Sequence, residues 1–256
     1  MLLTIGLPSY NNFTEVFFTV QALRMYHDLK DCEILVVDNY GNDPELEKFV
    51  KYQGGSKVRY EKYTDRVGPA NTKNAIFEHA RGDMVLCIDS HIMLVPGALK
   101  NIPITDDLIH GSLMYNDLIN YCCEWKPVWR GQMWGVWGDC LTVLPKEPFE
   151  IWGSGMGLFL TSKKGWLGFN KKYKGFGSEE GYIHEKYRKA GRKVFCHPDI
   201  VWVHLFDKPI PYPLKLIDRV VNYIIGFEEL SMDTKPIRDH FGEEMFNSAL
   251  EEAKKR

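Results

Sequence analysis

Asp89 and His91 stand two residues apart just past Met84-Val85-Leu86-Cys87-Ile88, the most hydrophobic short run in the front half of the chain. His204 closes a second apolar run, Ile200-Val201-Trp202-Val203. Side chains alternate along a strand with period two, so a carboxylate and an imidazole at i and i+2 point the same way. Groups of this kind at strand ends read as a metal site, and an open α/β sheet binds ligands at the carboxyl ends of its strands. A hard divalent cation there would bridge the two phosphates of a nucleotide sugar and take up charge as the nucleotide leaves. One Asp and two imidazoles are softer than an all-oxygen set, which favours Mn2+ over Mg2+. These residues alone leave a second reading open, in which Asp89 caps a turn and the histidines are unrelated.

Glu179-Glu180 is the main candidate for acid/base chemistry. It follows Gly175-Phe176-Gly177-Ser178, a small-residue loop in which Ser178 can cap the helix that starts there. The positive end of a helix also favours carboxylates without any catalytic role. Asp38 ends another apolar run, where it can accept from a base N–H or a ribose hydroxyl, or simply serve the turn Asp-Asn-Tyr-Gly-Asn-Asp. Pro8, Ser9 and Tyr10 would line the same crevice, with Tyr10 able to stack on a base. Lys73 is a cation for a diphosphate, and Arg66 is a second, equally readable as a surface arginine.

The elements that must position these residues alternate. Residues 2–7 form an apolar strand stopped by Pro8, and Asn11 or Asn12 caps a helix over 13–29. Further strands are expected at 34–37, 58–63 and Met84–Ile88, and helices at Pro44–Tyr52 and 69–80. Strand, helix, strand at this spacing implies parallel pairing. The expected fold class is α/β, a Rossmann-like nucleotide half at 1–91 followed by an acceptor half at 92–206. The stretch 122–152 holds Trp125, Trp129, Trp134, Trp137 and Trp152 with three glycines between them, and reads as an ordered loop. Residues 207–256 read as a helical extension, with helices over 214–230 and 236–254.

The run from Arg66 to His91, Arg-Val-Gly-Pro-Ala-Asn-Thr-Lys-Asn-Ala-Ile-Phe-Glu-His-Ala-Arg-Gly-Asp-Met-Val-Leu-Cys-Ile-Asp-Ser-His, resembles the nucleotide-sugar segment of family-2 glycosyltransferases. Its Asp-Ser-His ending is most similar to the polypeptide N-acetylgalactosaminyltransferases. Trp152-Gly-Ser-Gly-Met-Gly-Leu-Phe159 and Phe176-Gly-Ser-Glu-Glu180 resemble acceptor-side motifs of that family, and the likeness runs in order to His204. The resemblance implies a GT-A fold over 1–206, a UDP-sugar donor, and Mn2+ or Mg2+ on Asp89, His91 and His204. It puts Asp38 at the nucleoside, Trp152 facing the acceptor, and Lys73-Asn74 where many members carry Arg-Asn. Lys keeps the charge of Arg but loses the bidentate fork. It also divides on stereochemistry. In inverting members the second acidic residue, here Glu180, is the base on the acceptor hydroxyl, whereas in the retaining family the first, here Glu179, contacts the donor sugar. We lean to inversion.

Composition agrees with an ordinary folded enzyme. The chain has 256 residues, 45% of them hydrophobic and 13% aromatic, enough for a full core. No stretch approaches the roughly 20 apolar residues of a membrane span, and the start is unlike a signal peptide. A cytoplasmic location is expected, with the six cysteines as reduced thiols in no metal-type spacing. Net charge is −2, yet residues 161–220 carry 13 Lys and Arg against 6 Asp and Glu. Between Lys163 and Lys174 five lysines interleave with Trp166, Phe169 and Tyr173 and no acid. Such a stretch can hold a phosphate backbone while rings stack on bases, meet an anionic membrane, or be a solvated face. The acceptor therefore stays open between an ordinary hydroxyl and a nucleic acid, such as a hydroxymethylated base in viral DNA. A sugar-nucleotide binding protein without catalysis is the alternative of another class. Oligomeric state is not readable.

Overall fold

The computed structural model describes residues 2–52, 55, 57–206 and 208–256. The front half alternates strands and helices: β1 (Leu3–Ser9), α1 (Phe13–Tyr26), β2 (Cys32–Asp38), α2 (Pro44–Tyr52), β3 (Val58–Lys62), α3 (Pro69–His79) and β4 (Met84–Ile88). The back half follows with β5 (Ile92–Leu94), β6 (Leu108–Met114), β7 (Tyr121–Cys122), β8 (Trp125–Arg130), β9 (Met133–Trp137), β10 (Phe149–Glu150) and β11 (Leu158–Ser162). It ends with α4 (Glu179–Lys189), β12 (Val194–His204), α5 (Leu216–Glu229), α6 (Lys235–Phe241) and α7 (Glu243–Ala253).

One mixed sheet runs through both halves in the order β10-β12-β6-β11-β4-β1-β2-β3, with β5 on β12 and β7 on β6. β3, β2, β1 and β4 are mutually parallel, as the spacing of helices between them requires. β11 then enters antiparallel between β4 and β6, and β12 lies parallel to β6. β2 and β4 read as nearly continuous apolar runs because both faces are covered, whereas the edge strand β3 is Val-Arg-Tyr-Glu-Lys and half-exposed. Ile34 and Val36 pack with α1 and α2, while Leu35 and Val37 face a second core shared by α3, α4 and the C-terminal helices.

Four expectations need correction. β1 continues through Pro8 to Ser9, because β4 pairs with β1 only as far as Gly6 and Pro8 has one neighbouring strand, β2. Asn12 sits at the start of α1 but makes no side-chain cap; its amide accepts from Ser9 and from the Tyr10 N–H and donates to Ser90. The tryptophan stretch is not a loop: β8 and β9 form an antiparallel hairpin. Gly135, at φ 124°, lies so close to Trp125 that an added Cβ would fall 2.3 Å from the indole. The last expected helix is two, broken at Gly242 with φ 85°. Trp129 and Trp134 from the hairpin pack on Tyr223 and Phe227 of α5, and Trp129 also meets Phe241 of α6.

Candidate functional site

β4 ends at Ile88, and the Asp89 N–H donates to the Gly157 carbonyl at 2.8 Å, which fixes Asp89 at the top of the β4–β11 pair. His91 follows in the turn to β5. β5 pairs antiparallel with the last residues of β12, His204 opposite Ile92, so the register itself brings His204 beside His91. Their Nε2 atoms lie 3.1 Å apart, and Asp89 Oδ2 is 3.9 Å from His91 Nε2. All three residues offer ligand atoms within 4.8 Å of one another. Two ligands set cis in an octahedron at about 2.1 Å from an ion are about 3 Å apart, which the facing nitrogens match. Burial lowers the His91 pKa to about 4, with the Asp89 charge opposing, and it lowers His204 too. Burial alone would raise Asp89, but Lys73, with smaller contributions from His91 and His204, holds the carboxyl below its ordinary range. Neutral imidazoles and an ionised carboxylate are the forms that bind a cation.

Lys73 is buried on α3. Its Nζ donates to the Met156 carbonyl at 2.7 Å and lies 3.4 Å from Asp89 Oδ1. Burial works against its charge, yet the acids around it, Asp89 foremost, keep its pKa raised. Ser178 precedes α4 at φ 81° without capping it, contrary to expectation. Glu179 is 3% exposed and accepts from the Gly177 N–H, whereas among the described residues the Glu180 carboxylate takes only its own backbone N–H. Burial pushes both pKa values up, and for Glu179 the neighbouring Glu180 charge adds to it.

These groups wall one cavity of about 260 Å³, together with Pro8, Tyr10, Phe176 and a segment after β12 that includes Lys208, Ile210 and Tyr212. The sequence-derived candidates therefore divide. Pro8, Tyr10, Lys73, Asp89, His91, Glu179, Glu180 and His204 meet there. Asp38 is fully buried, accepting from the Tyr40 and Gly41 N–H groups and from the Tyr60 hydroxyl, outside the lining. Arg66 donates to the Lys171 carbonyl at the surface. Trp152 turns away from the cavity, against Trp134, Arg188 and Glu185. His184 is also elsewhere, its Nε2 2.9 Å from that of His110 in the core. Tyr212 and Lys208 lay beyond the motifs read from sequence; Tyr212 stacks on Tyr10 at 4.3 Å, and Lys208 pairs with Glu15. Only the Pro-Tyr-Pro spelling around Tyr212 hinted at an ordered turn.

The rings between Lys163 and Lys174 face inward: Trp166 stacks on Phe77 at 4.3 Å, and Phe169 and Tyr173 are buried. Phe169 and Tyr173 are therefore not free to stack on a base, whereas Trp166 is half-buried and lines a surface depression with Lys163 and Lys171. Lys171, Lys172 and Lys174 remain exposed. All six cysteines are free thiols, and among the described residues no helix is long and apolar enough to cross a membrane.

Residues 4–102 match the family model described as glycosyl transferase family 2. No curated protein matches the chain. Solved structures do, at low identity. The structure of GalNAc-T7 with UDP, GalNAc and Mn2+ superposes with TM-score 0.67 at 16% identity, covering 98% of this chain and 56% of that one. The mannosyltransferase PcManGT from Pyrobaculum calidifontis, with GDP-Man and Mn2+, gives 0.56 at 17%, covering 98% and 68%. S. aureus TarS 1-349 with UDP-GlcNAc gives 0.59 at 12%, covering 98% and 72%. The chain thus spans little more than half the length of GalNAc-T7. It has the GT-A glycosyltransferase fold with a family-2-like first segment, as the Arg66–His91 run led us to expect.

Proposed function

We propose that this chain moves a sugar from a nucleoside diphosphate sugar, a UDP-sugar, to an acceptor hydroxyl, using Mn2+ held by Asp89, His91 and His204. The observation that carries the reading is the meeting of three ligand side chains, a buried lysine and two carboxylates of raised pKa in one cavity at strand ends. UDP with Mn2+ in GalNAc-T7 and GDP-Man with Mn2+ in PcManGT support the donor class. When bound, the cation supplies charge neutralisation to the departing diphosphate.

The chain's own residues do the rest. Lys73 holds Asp89 ionised and oriented, and its charge adds to the field that a diphosphate meets. Pro8 and Tyr10 offer a wall for the base. Asp38 holds the backbone of Tyr40 and Gly41 behind that wall, while Arg66 and Trp152 act from outside the cavity. Glu180, its carboxylate free of other donors, takes the proton of the acceptor hydroxyl, and a raised pKa makes it a better base near neutral pH. Glu179, whose pKa burial and the Glu180 charge raise to about 7, faces the donor sugar. Transfer through Glu180 inverts the anomeric centre.

A panel of UDP-sugars incubated with Mn2+, with and without mixed acceptors, tests the reading by release of UDP. Turnover of one donor, lost on chelation, is expected. Tight UDP-sugar binding with no hydrolysis or transfer for any donor would leave a binding protein instead.

A further inference from the structure

We propose that the rim of this cavity docks on an anionic lipid bilayer, so that the site opens onto the membrane surface. Three chain segments leave the cavity wall and each carries a cation two or three residues on. Arg66 precedes Pro69, Lys174 precedes Phe176, and Lys215 follows Tyr212. Three residues of chain reach at most about 10 Å, so the backbone of each of these residues lies within that distance of the cavity wall. The segments are stitched together: the Gly175 N–H donates to the Val67 carbonyl at 2.9 Å, the Arg66 guanidinium donates to Lys171, and Gly175 abuts Asp218 in the first turn of α5. Asp218 is itself taken by Arg256.

Arg66, Lys171, Lys172, Lys174 and Lys215 are all exposed, and among the described residues none of them is in an ion pair. Asp65 is the one acid next to them in sequence. Three exposed aliphatic side chains belong to the same cavity wall or adjoin one of these cations, Leu205 at 51%, Ile210 at 47% and Leu214 at 55%. Leu205 and Ile210 line the cavity, and Leu214 adjoins Lys215. Cations that reach anionic headgroups beside aliphatic groups that enter the acyl boundary are the two parts of interfacial binding. A nucleic acid would use the cations but not the aliphatic groups, and two of the three rings between Lys163 and Lys174, Phe169 and Tyr173, are buried. The surface goes beyond the transferase reading and does not depend on it.

Sedimentation with vesicles of phosphatidylcholine alone, and of equal parts phosphatidylcholine and phosphatidylglycerol, tests the docking without donor or metal. Wild-type protein should pellet with the anionic vesicles only, less so as salt rises. Replacing Lys171, Lys172 and Lys174 by Ala should weaken binding about fivefold for each charge removed. Leu214→Ser should weaken it about tenfold with every charge in place. An unchanged melting temperature shows that each variant is folded. Wild-type protein left in the supernatant at low salt overturns the proposal. So does an affinity for anionic vesicles indifferent to Leu214→Ser, or a preference for duplex DNA at equal phosphate concentration.

Discussion

His91 and His204, 113 residues apart in sequence, face each other through their Nε2 atoms at 3.1 Å. The contact is made by the β5–β12 register and costs no loop of its own. Each ring also has a buried Nδ1 with no hydrogen-bond partner. With no second bond to fix their tautomers, the closest polar contact of each ring is the other, Asp89 standing 3.9 Å from His91, and a shared ion would order all three.

Asp89→Ala and His91→Ala should each lower metal-dependent UDP binding at least about 100-fold while the protein stays folded, since each ends an element instead of filling the core. Calorimetry with UDP and Mn2+ reads it. Undiminished binding in either variant would remove the metal assignment.

Protons should compete poorly for this site. The His91 pKa is near 4 and that of His204 is lowered, so Mn2+ affinity should hold as pH falls from 7.5 past the usual histidine value of about 6.5. A titration of Mn2+ binding with a midpoint at that usual value would contradict the burial argument.

Stability carries the opposite sign. His110 is depressed to about 4, and His184 is lowered as well, chiefly by burial. The unfolded chain therefore binds more protons below the ordinary histidine pKa, and stability is lost as pH falls from there through the folded values. Melting temperature should decline over that window, and a His110→Asn, His184→Gln variant should show a shallower decline.

Glu180→Gln should lower transfer by several orders of magnitude with UDP-sugar affinity within a few-fold, because the amide keeps the shape and loses the proton acceptor. Single-turnover kinetics measure the rate, and NMR of the product anomer reads the stereochemistry. Near-normal turnover, or retention, would move the chemistry to Glu179.

Lys73→Met should destabilise the protein by about 2–4 kcal/mol, since it leaves the buried Met156 carbonyl unfilled and the half-buried Asp89 carboxylate without its cation. For a chain of this size that lowers the melting temperature by very roughly 10 °C. A shift of under a degree would mean that the pair contributes nothing.

The front of the sheet was legible because β1, β2 and β4 are short, largely apolar runs, β3 alternates polar and apolar residues, and each crossover helix is bounded by Pro or Asn. Pro44–Tyr52 and Met84–Ile88 have the bounds expected of them. That Asp89, His91 and His204 would meet was legible too, since both strand ends spell their own polar residues. What failed was tertiary. Nothing local in Trp125–Arg130 reveals that its rings are held by α5 and α6, so glycines that permit a hairpin's close contacts looked like loop residues. Trp152 shared a motif with the cavity wall at Met156 and Gly157 yet points elsewhere, because a motif fixes the backbone path and not the direction of each side chain.

The insertion of β11 between β4 and β6 sets the order in which this protein can be completed as it leaves the ribosome. β4 is made early but gains its second neighbour only when residues 158–162 exist, roughly 70 residues later. At about 5–20 residues per second, that exposes an apolar strand edge for several seconds. The segment shared with family 2 is therefore no detachable module: released at residue 102, it would present β4 to whatever strand it met first, most often another copy of itself.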